Sequence, residues 1–413
     1  MTDKNKPPKK KTTFKQKLLL ILFGLLFGTI LSEVGLRIVG YSYPQFYQND
    51  QYRGFALRPG VEGTYRREGT SYVRVNNDGL RDREHPKVKP ANTVRIALLG
   101  DSFTEAMHLP MEQTYWWRLQ QELKSCPEFA GRDVEIINFG VSGYGTGQEL
   151  MTLREKVWAY SPDVVMLLIC TSNDTRDNYR PLSQTEQVPY FIYRNGELVL
   201  DDSFRTSRAY LRRDSGLNRL GAWFHDNLRI IQLIHYAQFV GKLRFTEWRD
   251  SRNIKQEHPA PGQATAQDIG IDNMPYVEPH DDDWRNGWDI TEKLLVQMRN
   301  EVTQHGAKFL MVTGSNGIQV YPDPVVRQNF MRHIGVTGVF YPNQRFKALA
   351  DREKIDFFDL AEPMQRYADE HKVFLHGFDR DIGNGHWNSA GHQVVSNLLK
   401  QKICSDKEIT GIR

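Results

Sequence analysis

Two kinds of apolar pattern alternate along most of this chain. Continuous apolar runs, typical of strands covered on both faces, lie at 94–99, 134–138, 163–169, 307–312 and 355–358. Apolar residues at helical spacing occupy 114–125, 147–160, 289–304, 343–352 and 389–401. This alternation predicts a three-layer α/β/α fold around a central five-stranded parallel sheet.

Four regions fall outside that alternation, and they define the predicted organisation. The divisions are a basic cytoplasmic tail at 1–17, a transmembrane anchor at 18–40, a membrane-proximal segment at 41–90, and a main domain at 91–413 with an insertion at 176–285. We expect the segment at 41–90 to form a strand or hairpin that packs on the main domain. The predicted architecture is therefore a flavodoxin-like α/β domain with one insertion and an N-terminal transmembrane helix.

The anchor begins with the apolar run Leu18–Leu31, and the pattern resumes weakly through Val39. A membrane-spanning helix needs about 20 apolar residues, so Glu33 and Arg37 must pair as i, i+4 neighbours at the far interface. A cleaved signal peptide and a core helix are the alternatives. The absence of an Ala-x-Ala motif before Tyr41 favours an uncleaved anchor, with the lysines cytoplasmic and the main domain exported.

The insertion carries its own signals. Asn195-Gly196 within Tyr190–Leu200 predicts a hairpin turn, helical spacing follows from 217 to 245, and residues 257–283 resemble a mobile loop. Its aromatic residues either form a lid or groove for a glycan or lipid, or build a small core of their own. The residues in question are Tyr190, Tyr193, Trp223 and Phe224.

The distribution of charge argues against one class of partner, and the cysteines leave the disulfide pairing undecided. The net charge is +4, but residues 1–17 contain seven lysines and one aspartate, which leaves 47 basic against 49 acidic residues elsewhere. A nearly neutral body argues against a nucleic-acid surface. Of the three cysteines, Cys170 ends a predicted strand and suits the core. Two of Cys126, Cys170 and Cys404 could form a disulfide, and the sequence does not indicate which two. The acidic run His280–Asp283 is interpreted as a solvated loop.

Candidate chemistry lies where predicted strands end. The strand at 94–99 runs into Gly100-Asp101-Ser102, which presents Ser102 as a nucleophile at a helix amino terminus. Gly143 and Asn173 follow the next two strands, and His386 precedes the last helix. Because parallel strands share one carboxyl edge, we expect these residues to meet there.

These blocks, in this order, resemble the SGNH (GDSL) hydrolase family over about residues 91–175 and 285–401. The matching motifs are Gly-Asp-Ser-Phe, Gly-Val-Ser-Gly, Ser-Asn-Asp and Gly-His-Trp-Asn. The resemblance implies Ser102 and His386 as catalytic residues, and Ser102, Gly143 and Asn173 as the oxyanion hole. It implies no metal and no cofactor.

One position departs from the family. The family's aspartate three residues before the catalytic histidine is replaced by Gly383. Because the imidazole needs an acid to fix its tautomer, Asp381 is the predicted partner of His386. Asp379 and Asn384 are the alternatives, and a Ser-His dyad is another.

Two further residues lie at or near that motif. We interpret His392 as structural, bonding a backbone carbonyl. Trp387 either lines the pocket or packs beneath His386.

The expected function is a serine esterase that removes an O-acyl group from a glycan or lipid through an acyl-enzyme. An O-acyltransferase with the same residues is one alternative. The other is a non-catalytic glycan-binding scaffold of envelope-polymer assembly. The oligomeric state is left open.

Overall fold

The computed structural model describes residues 12–129, 131–253 and 273–410. Most of the predicted cytoplasmic tail (1–11) and much of the predicted mobile loop (257–272) therefore lie outside the described residues. The described chain forms two compact units. One contains residues 12–44 and 220–253, and the other contains residues 45–219 and 273–410.

The strands of the larger unit include the central sheet and three two-stranded hairpins. They are β1 (Tyr47–Asp50), β2 (Gly54–Leu57), β3 (Glu62–Tyr65), β4 (Ser71–Arg74), β5 (Thr93–Gly100), β6 (Asp133–Asn138), β7 (Val164–Ile169), β8 (Tyr190–Arg194), β9 (Glu197–Asp201), β10 (Lys308–Thr313) and β11 (Asp356–Asp359). The central sheet has the order β11-β10-β7-β5-β6, and every pair in it is parallel. The five predicted strands and their parallel arrangement are confirmed.

The α-helices are α1 (Phe14–Ile38), α2 (Ser102–Glu105), α3 (Tyr115–Leu123), α4 (Thr146–Glu155), α5 (Asp174–Asp177), α6 (Arg180–Ser183), α7 (Arg208–Arg213), α8 (Gly216–Asn227), α9 (Arg229–Asn253), α10 (Asp282–Gln304), α11 (Pro324–Ile334), α12 (Tyr341–Glu353), α13 (Ala361–His371), α14 (Ser389–Ser405) and α15 (Lys407–Thr410). The sequence pattern missed α11 and α13, together with the short helices α5, α6, α7 and α15. It also placed His280–Asp283 in a solvated loop, whereas Asp281 accepts the Trp284 N–H at 2.8 Å and caps α10.

The core explains why helices cover both faces of the sheet. Successive side chains of a strand point to opposite faces, and β5 is buried on both. Ile96 and Leu98 belong to a cluster with α3 and α14, whereas Ala97 and Leu99 belong to a cluster with α4, α10 and α12. The result is the predicted three-layer sandwich, with all five strands ending at one edge.

The membrane-proximal segment forms two hairpins, β1–β2 and β3–β4, whose buried side chains pack with Met107, Val141 and Tyr144 from the loops after β5 and β6. The polar stretch after β4 attaches it to the sheet. Asn76 Oδ1 accepts the Leu80 N–H at 2.9 Å, Asp82 Oδ2 accepts the Asn138 N–H at 2.9 Å, and Arg81 donates to the Glu105 carbonyl at 2.6 Å. These bonds fix the hairpins beside the sheet edge.

The insertion contains the expected hairpin. Asn195 and Gly196 have φ values of +53° and +83° between β8 and β9, as a two-residue type I′ turn requires. Of the two alternatives for the aromatic residues of the insertion, the small core of their own is not formed. Tyr190 is buried, but Tyr193, Trp223 and Phe224 are exposed.

The structure shows which cysteines pair, a point that the sequence left open. Cys126 and Cys404 form a disulfide with a Cα–Cα distance of 5.8 Å. Cys170 is buried and not disulfide-bonded, as expected for a core position. The disulfide attaches the end of α14 to the segment after α3.

The smaller unit contains the predicted anchor. Helix α1 has 25 residues and is long and apolar enough to cross a membrane. The predicted pair forms, with Arg37 Nε donating to Glu33 Oε1 at 2.8 Å.

Candidate active site

Ser102 lies at a sharp turn between β5 and α2. A Cβ on Gly100 would lie 2.3 Å from Thr104 Oγ1, so only glycine fits this turn. Asp101 caps α2 by accepting the Phe103 N–H at 3.0 Å, as expected. In the part of the chain that the structure describes, the Ser102 N–H donates to no protein acceptor. It is therefore available to an oxyanion at the amino end of α2.

The structure brings His386 to Ser102 across 284 positions of sequence. The His386 Nε2 atom lies 2.7 Å from Ser102 Oγ. His386 stands before α14, and Asn388 caps that helix by accepting the Ala390 and Gly391 N–H groups at 3.0 and 3.1 Å. The spacing between the serine and the imidazole suits proton transfer.

The acid at the far side of the imidazole is Glu68, which the sequence reasoning missed. The Glu68 carboxylate accepts a hydrogen bond from His386 Nδ1 through Oε2 and from the His386 N–H through Oε1 at 2.8 Å. The predicted partner Asp381 is exposed, as is Asp379, and neither provides this contact. Asp381 is therefore not the partner of His386. The carboxylate of Glu68, in the β3–β4 turn, occupies the place beside His386 Nδ1.

Two backbone features let Glu68 reach His386. Glu68 lies in the five-residue turn between β3 and β4. Gly385 has a φ of +72°, and a Cβ there would lie 2.4 Å from Glu68 Oε1. Glycine is thus needed both for the conformation and for the space that the carboxylate occupies.

The hydrogen bonds define the tautomer of His386. An ionised carboxylate only accepts, so Nδ1 carries the proton and Nε2 is left to accept from the Ser102 hydroxyl. Burial disfavours the imidazolium, but the hydrogen bond and charge of Glu68 outweigh it and raise the pKa of His386 above its ordinary value. Burial opposes the Glu68 charge in turn, and bonding to His386 still lowers the pKa of Glu68.

Three other histidines surround the site, and all are held neutral. Burial lowers the pKa of His108 and His392 well below the ordinary value, and that of His376 to about 4. His392 Nδ1 accepts the Tyr115 N–H at 3.0 Å, which corrects the expected bond to a carbonyl. Its Nε2 lies 3.3 Å from His108 Nε2. His386 is therefore the imidazole in this group that is suited to take up a proton.

Aromatic packing supports the imidazole. Phe103 lies 4.9 Å from the His386 ring and 4.8 Å from the Trp387 ring, centroid to centroid. Trp387 is fully buried and its Nε1–H donates to Ser315 Oγ at 2.9 Å. Of the two interpretations of Trp387, packing below the site is the observed one.

The predicted oxyanion residues lie in loops after β6 and β7. In the described ranges, the Gly143 N–H donates to no protein acceptor, and Gly143 is exposed with a φ of +77°. Asn173 Nδ2 lies 3.4 Å from Asp101 Oδ2, next to the serine turn. The loop that carries Gly143 is tied to α2, because the buried Glu105 carboxylate accepts the Ser142 hydroxyl and the Tyr47 hydroxyl.

The described residues contain no group of three or more His, Cys, Asp and Glu side chains that could hold a metal ion. The chemistry that the arrangement can perform is proton transfer from the Ser102 hydroxyl to His386. Nucleophilic attack by Ser102 follows from it.

No family model matches the chain, and no curated protein sequence matches it significantly. It is similar to three solved structures. The acetyl xylan esterase AlAXEase has 14% identity and a TM-score of 0.38, over 75% of this chain and all of that chain. LAE5, an alpha/beta hydrolase from the metagenome of Lake Arreo, Spain, has 15% identity and a TM-score of 0.35, over 77% and 95%.

The third is a catalytic mutant of an acetylxylan esterase from Geobacillus stearothermophilus. It has 12% identity and a TM-score of 0.36, over 79% of this chain and 98% of that chain. At such identities and scores, the likeness does not bear on function.

Proposed function

We propose that this chain is a membrane-anchored serine hydrolase of the SGNH type that cleaves an ester, with O-acyl groups on a glycan or lipid as its substrate class. The observation that carries the proposal is the continuous contact from the Ser102 hydroxyl through His386 to Glu68. A nucleophile, a base and an orienting acid in hydrogen-bond contact are the parts that acyl transfer requires.

The reaction has two halves. Ser102 Oγ attacks the ester carbonyl carbon while its proton moves to His386 Nε2, and collapse of the tetrahedral intermediate releases the alcohol, which takes that proton. Water then attacks the acyl-enzyme, gives its proton to His386 and releases the acid as Ser102 is re-protonated. Glu68 keeps the proton on Nδ1 and stabilises the imidazolium in both halves.

The negative oxygen of each intermediate would be bound by the N–H groups of Ser102 and Gly143 and by the Asn173 side-chain amide. Removing one such donor typically costs about 3 kcal/mol of transition-state stabilisation. Asn173 would therefore contribute to catalysis without touching the nucleophile's proton.

Glu68 bears on the rival interpretation of a catalytically silent scaffold. That interpretation drew its support from Gly383, which replaces the family's aspartate. Since Glu68 supplies a carboxylate from another part of the chain, the missing aspartate is no longer a reason to expect an inactive site.

The proposed location is the cell membrane, with the N-terminus cytoplasmic and the larger unit exported. The first turn of helix α1 contains Lys15 and Lys17, which favours a cytoplasmic N-terminus. A disulfide between Cys126 and Cys404 fits an oxidising compartment. Retention of the full chain in membranes washed with alkaline carbonate would test the anchor, and release into the wash would refute it.

The catalytic proposal is tested with the full chain in detergent. We expect a fluorophosphonate probe to label the wild type, and we expect Ser102→Ala to abolish both labelling and hydrolysis of p-nitrophenyl acetate. Labelling that survives Ser102→Ala would refute the nucleophile, and a wild type that is neither labelled nor active would refute the hydrolase.

The acid is tested by a matched pair of variants. Glu68→Gln leaves the imidazole without a carboxylate at Nδ1, and we expect kcat to fall by about 10²- to 10⁴-fold. Asp381→Asn removes an exposed acid near the same histidine and should leave kcat unchanged. The reverse result would return the role to Asp381.

A further inference from the structure

Helix α8 turns its apolar side outward. On a helix of 3.6 residues per turn, Leu220, Trp223 and Phe224 lie within an arc of about 100°. Their exposed fractions are 53%, 56% and 42%, whereas His225 on the opposite side is 2% exposed. A surface helix of a globular protein shows the reverse arrangement, with its apolar stripe inward. The outward face of α8 therefore suits an apolar environment.

Helix α9 repeats this inversion. Ile234, Phe245 and Trp248 fall on one stripe and are 46%, 60% and 49% exposed, and the Phe245 and Trp248 rings lie 5.7 Å apart. Gln232 lies on the opposite side, where it is fully buried and donates to the His225 carbonyl at 2.9 Å. The polar side of each helix thus contributes to a hydrogen bond inside the smaller unit, whereas the two apolar stripes lie on its outside.

The junction of α8 and α9 is attached to the end of α1. Glu33 Oε2 accepts the Ile230 N–H at 3.0 Å, and Arg37 Nη2 donates to the Asn227 carbonyl at 2.6 Å. A hydrocarbon core of about 30 Å is crossed by about 20 helical residues, so a span that starts at Leu18 ends near Arg37. The junction then lies at the outer boundary of the bilayer.

We infer that α8 and α9 form an interfacial pair that rests in the outer headgroup region of the lipid bilayer, with the stripes defined above inserted among the acyl chains. Trp and Phe on one face, with arginines beside them, are typical of helices that lie in a membrane interface. Residues 216–253 contain six basic and three acidic residues, whereas the rest of the chain beyond residue 17 contains 41 basic and 46 acidic residues. That charge suits anionic lipid headgroups.

The inference rests on the proposed anchor and does not depend on the esterase activity. It identifies the bilayer surface as a second contact of the smaller unit. The two helices would hold the chain close to the membrane beyond the end of α1.

The test uses the full chain reconstituted in vesicles of phosphatidylcholine and phosphatidylglycerol, with or without bromine on the upper acyl chain. Bromine quenches a tryptophan that it contacts. We expect brominated lipid to quench the wild type more than the double variant Trp223→Phe, Trp248→Phe. Trp158→Phe is the control, because Trp158 stacks on His305 at 3.9 Å in the larger unit, and it should retain the wild-type quenching.

Flotation of the vesicles first reports whether the anchor has inserted. Protein that does not float refutes the anchor and, with it, this inference. Floating protein in which the wild type and the double variant are quenched equally overturns the interfacial pair alone. A dimer that shields both tryptophans from brominated lipid would assign the stripes to a second copy of the chain and would also overturn it.

Discussion

Single residues set the proton position in the candidate triad. Burial keeps the three histidines near His386 neutral. The charge of Glu68, which is hydrogen-bonded to His386, favours the imidazolium form of His386. The pKa of His386 is therefore the quantity that Glu68 controls most directly.

This control predicts a pH profile. The imidazole must be neutral to act as base, so kcat/KM should rise with pH through an inflection above about 6.5, the ordinary pKa of histidine. Glu68→Gln removes the charge that raises the pKa of His386, and burial then lowers it, so the inflection should move to lower pH. Rate profiles from pH 4.5 to 9 for both proteins check this. An inflection that stays in place in Glu68→Gln would contradict the role of Glu68.

The sequence was sufficient to place Ser102, Gly143 and Asn173 after β5, β6 and β7, but it was insufficient to find Glu68. Ser102, Gly143 and Asn173 each follow an apolar run, and the edge of a parallel sheet brings such positions together. Glu68 lies 318 positions from His386, in a hairpin turn whose residues form no motif. Sequence separation carries no information about which turn reaches a given site, so a local search around His386 could find only Asp381, Asp379 and Asn384.

Among elements, strands were easier to predict than some helices. Buried strands are short continuous apolar runs, whereas α11 and α13 bury only part of their surface. Signals for α11 were nevertheless present: Asp323 caps it by accepting the Val325 N–H at 2.9 Å, Pro324 begins it, and Gly335 ends it with a φ of +74°. The amphipathic spacing on α8 indicated a helix correctly, but it could not show which side would face outward.

The approach of the β3–β4 turn to the loop before α14 predicts the effect of one methyl group. Gly385→Ala places Cβ 2.4 Å from Glu68 Oε1, so the carboxylate must move away from His386. We expect kcat to fall by about 10²-fold, the typical effect of a displacement of about 1 Å. Kinetics on p-nitrophenyl acetate measure the effect.

Gly335→Ala is the matched control. Gly335 has nearly the same φ as Gly385, but a Cβ there meets nothing within 4 Å. Both variants should lose about 1 kcal/mol of stability from backbone strain, and only Gly385→Ala should lose activity. Equal activity in the two would show that Glu68 does not need this space.

At the scale of the whole molecule, burial favours the neutral form of several acids. Burial raises the pKa of Asp101, Glu149 and Asp174, the latter two well above the ordinary value. In the described part of the chain, neither carboxyl oxygen of Glu149 has a protein hydrogen-bond partner. The unfolded chain releases the Glu149 proton above about pH 4.3, whereas the folded chain retains it.

The sign of the effect on stability follows from that difference. A group whose pKa is higher in the folded state makes the protein less stable as pH rises above the unfolded pKa, by about 1.4 kcal/mol per pH unit until the folded pKa is reached. Glu149→Gln replaces the neutral acid with a neutral amide of similar shape and removes this term. We therefore expect Glu149→Gln to match the wild type near pH 4.5 and to be clearly more stable at pH 8.

Thermal unfolding of the full chain at several pH values measures the difference, with the exposed Glu155→Gln at the end of the same helix as control. A gain that does not grow with pH, or one that Glu155→Gln shares, would show that Glu149 is not buried as a neutral acid.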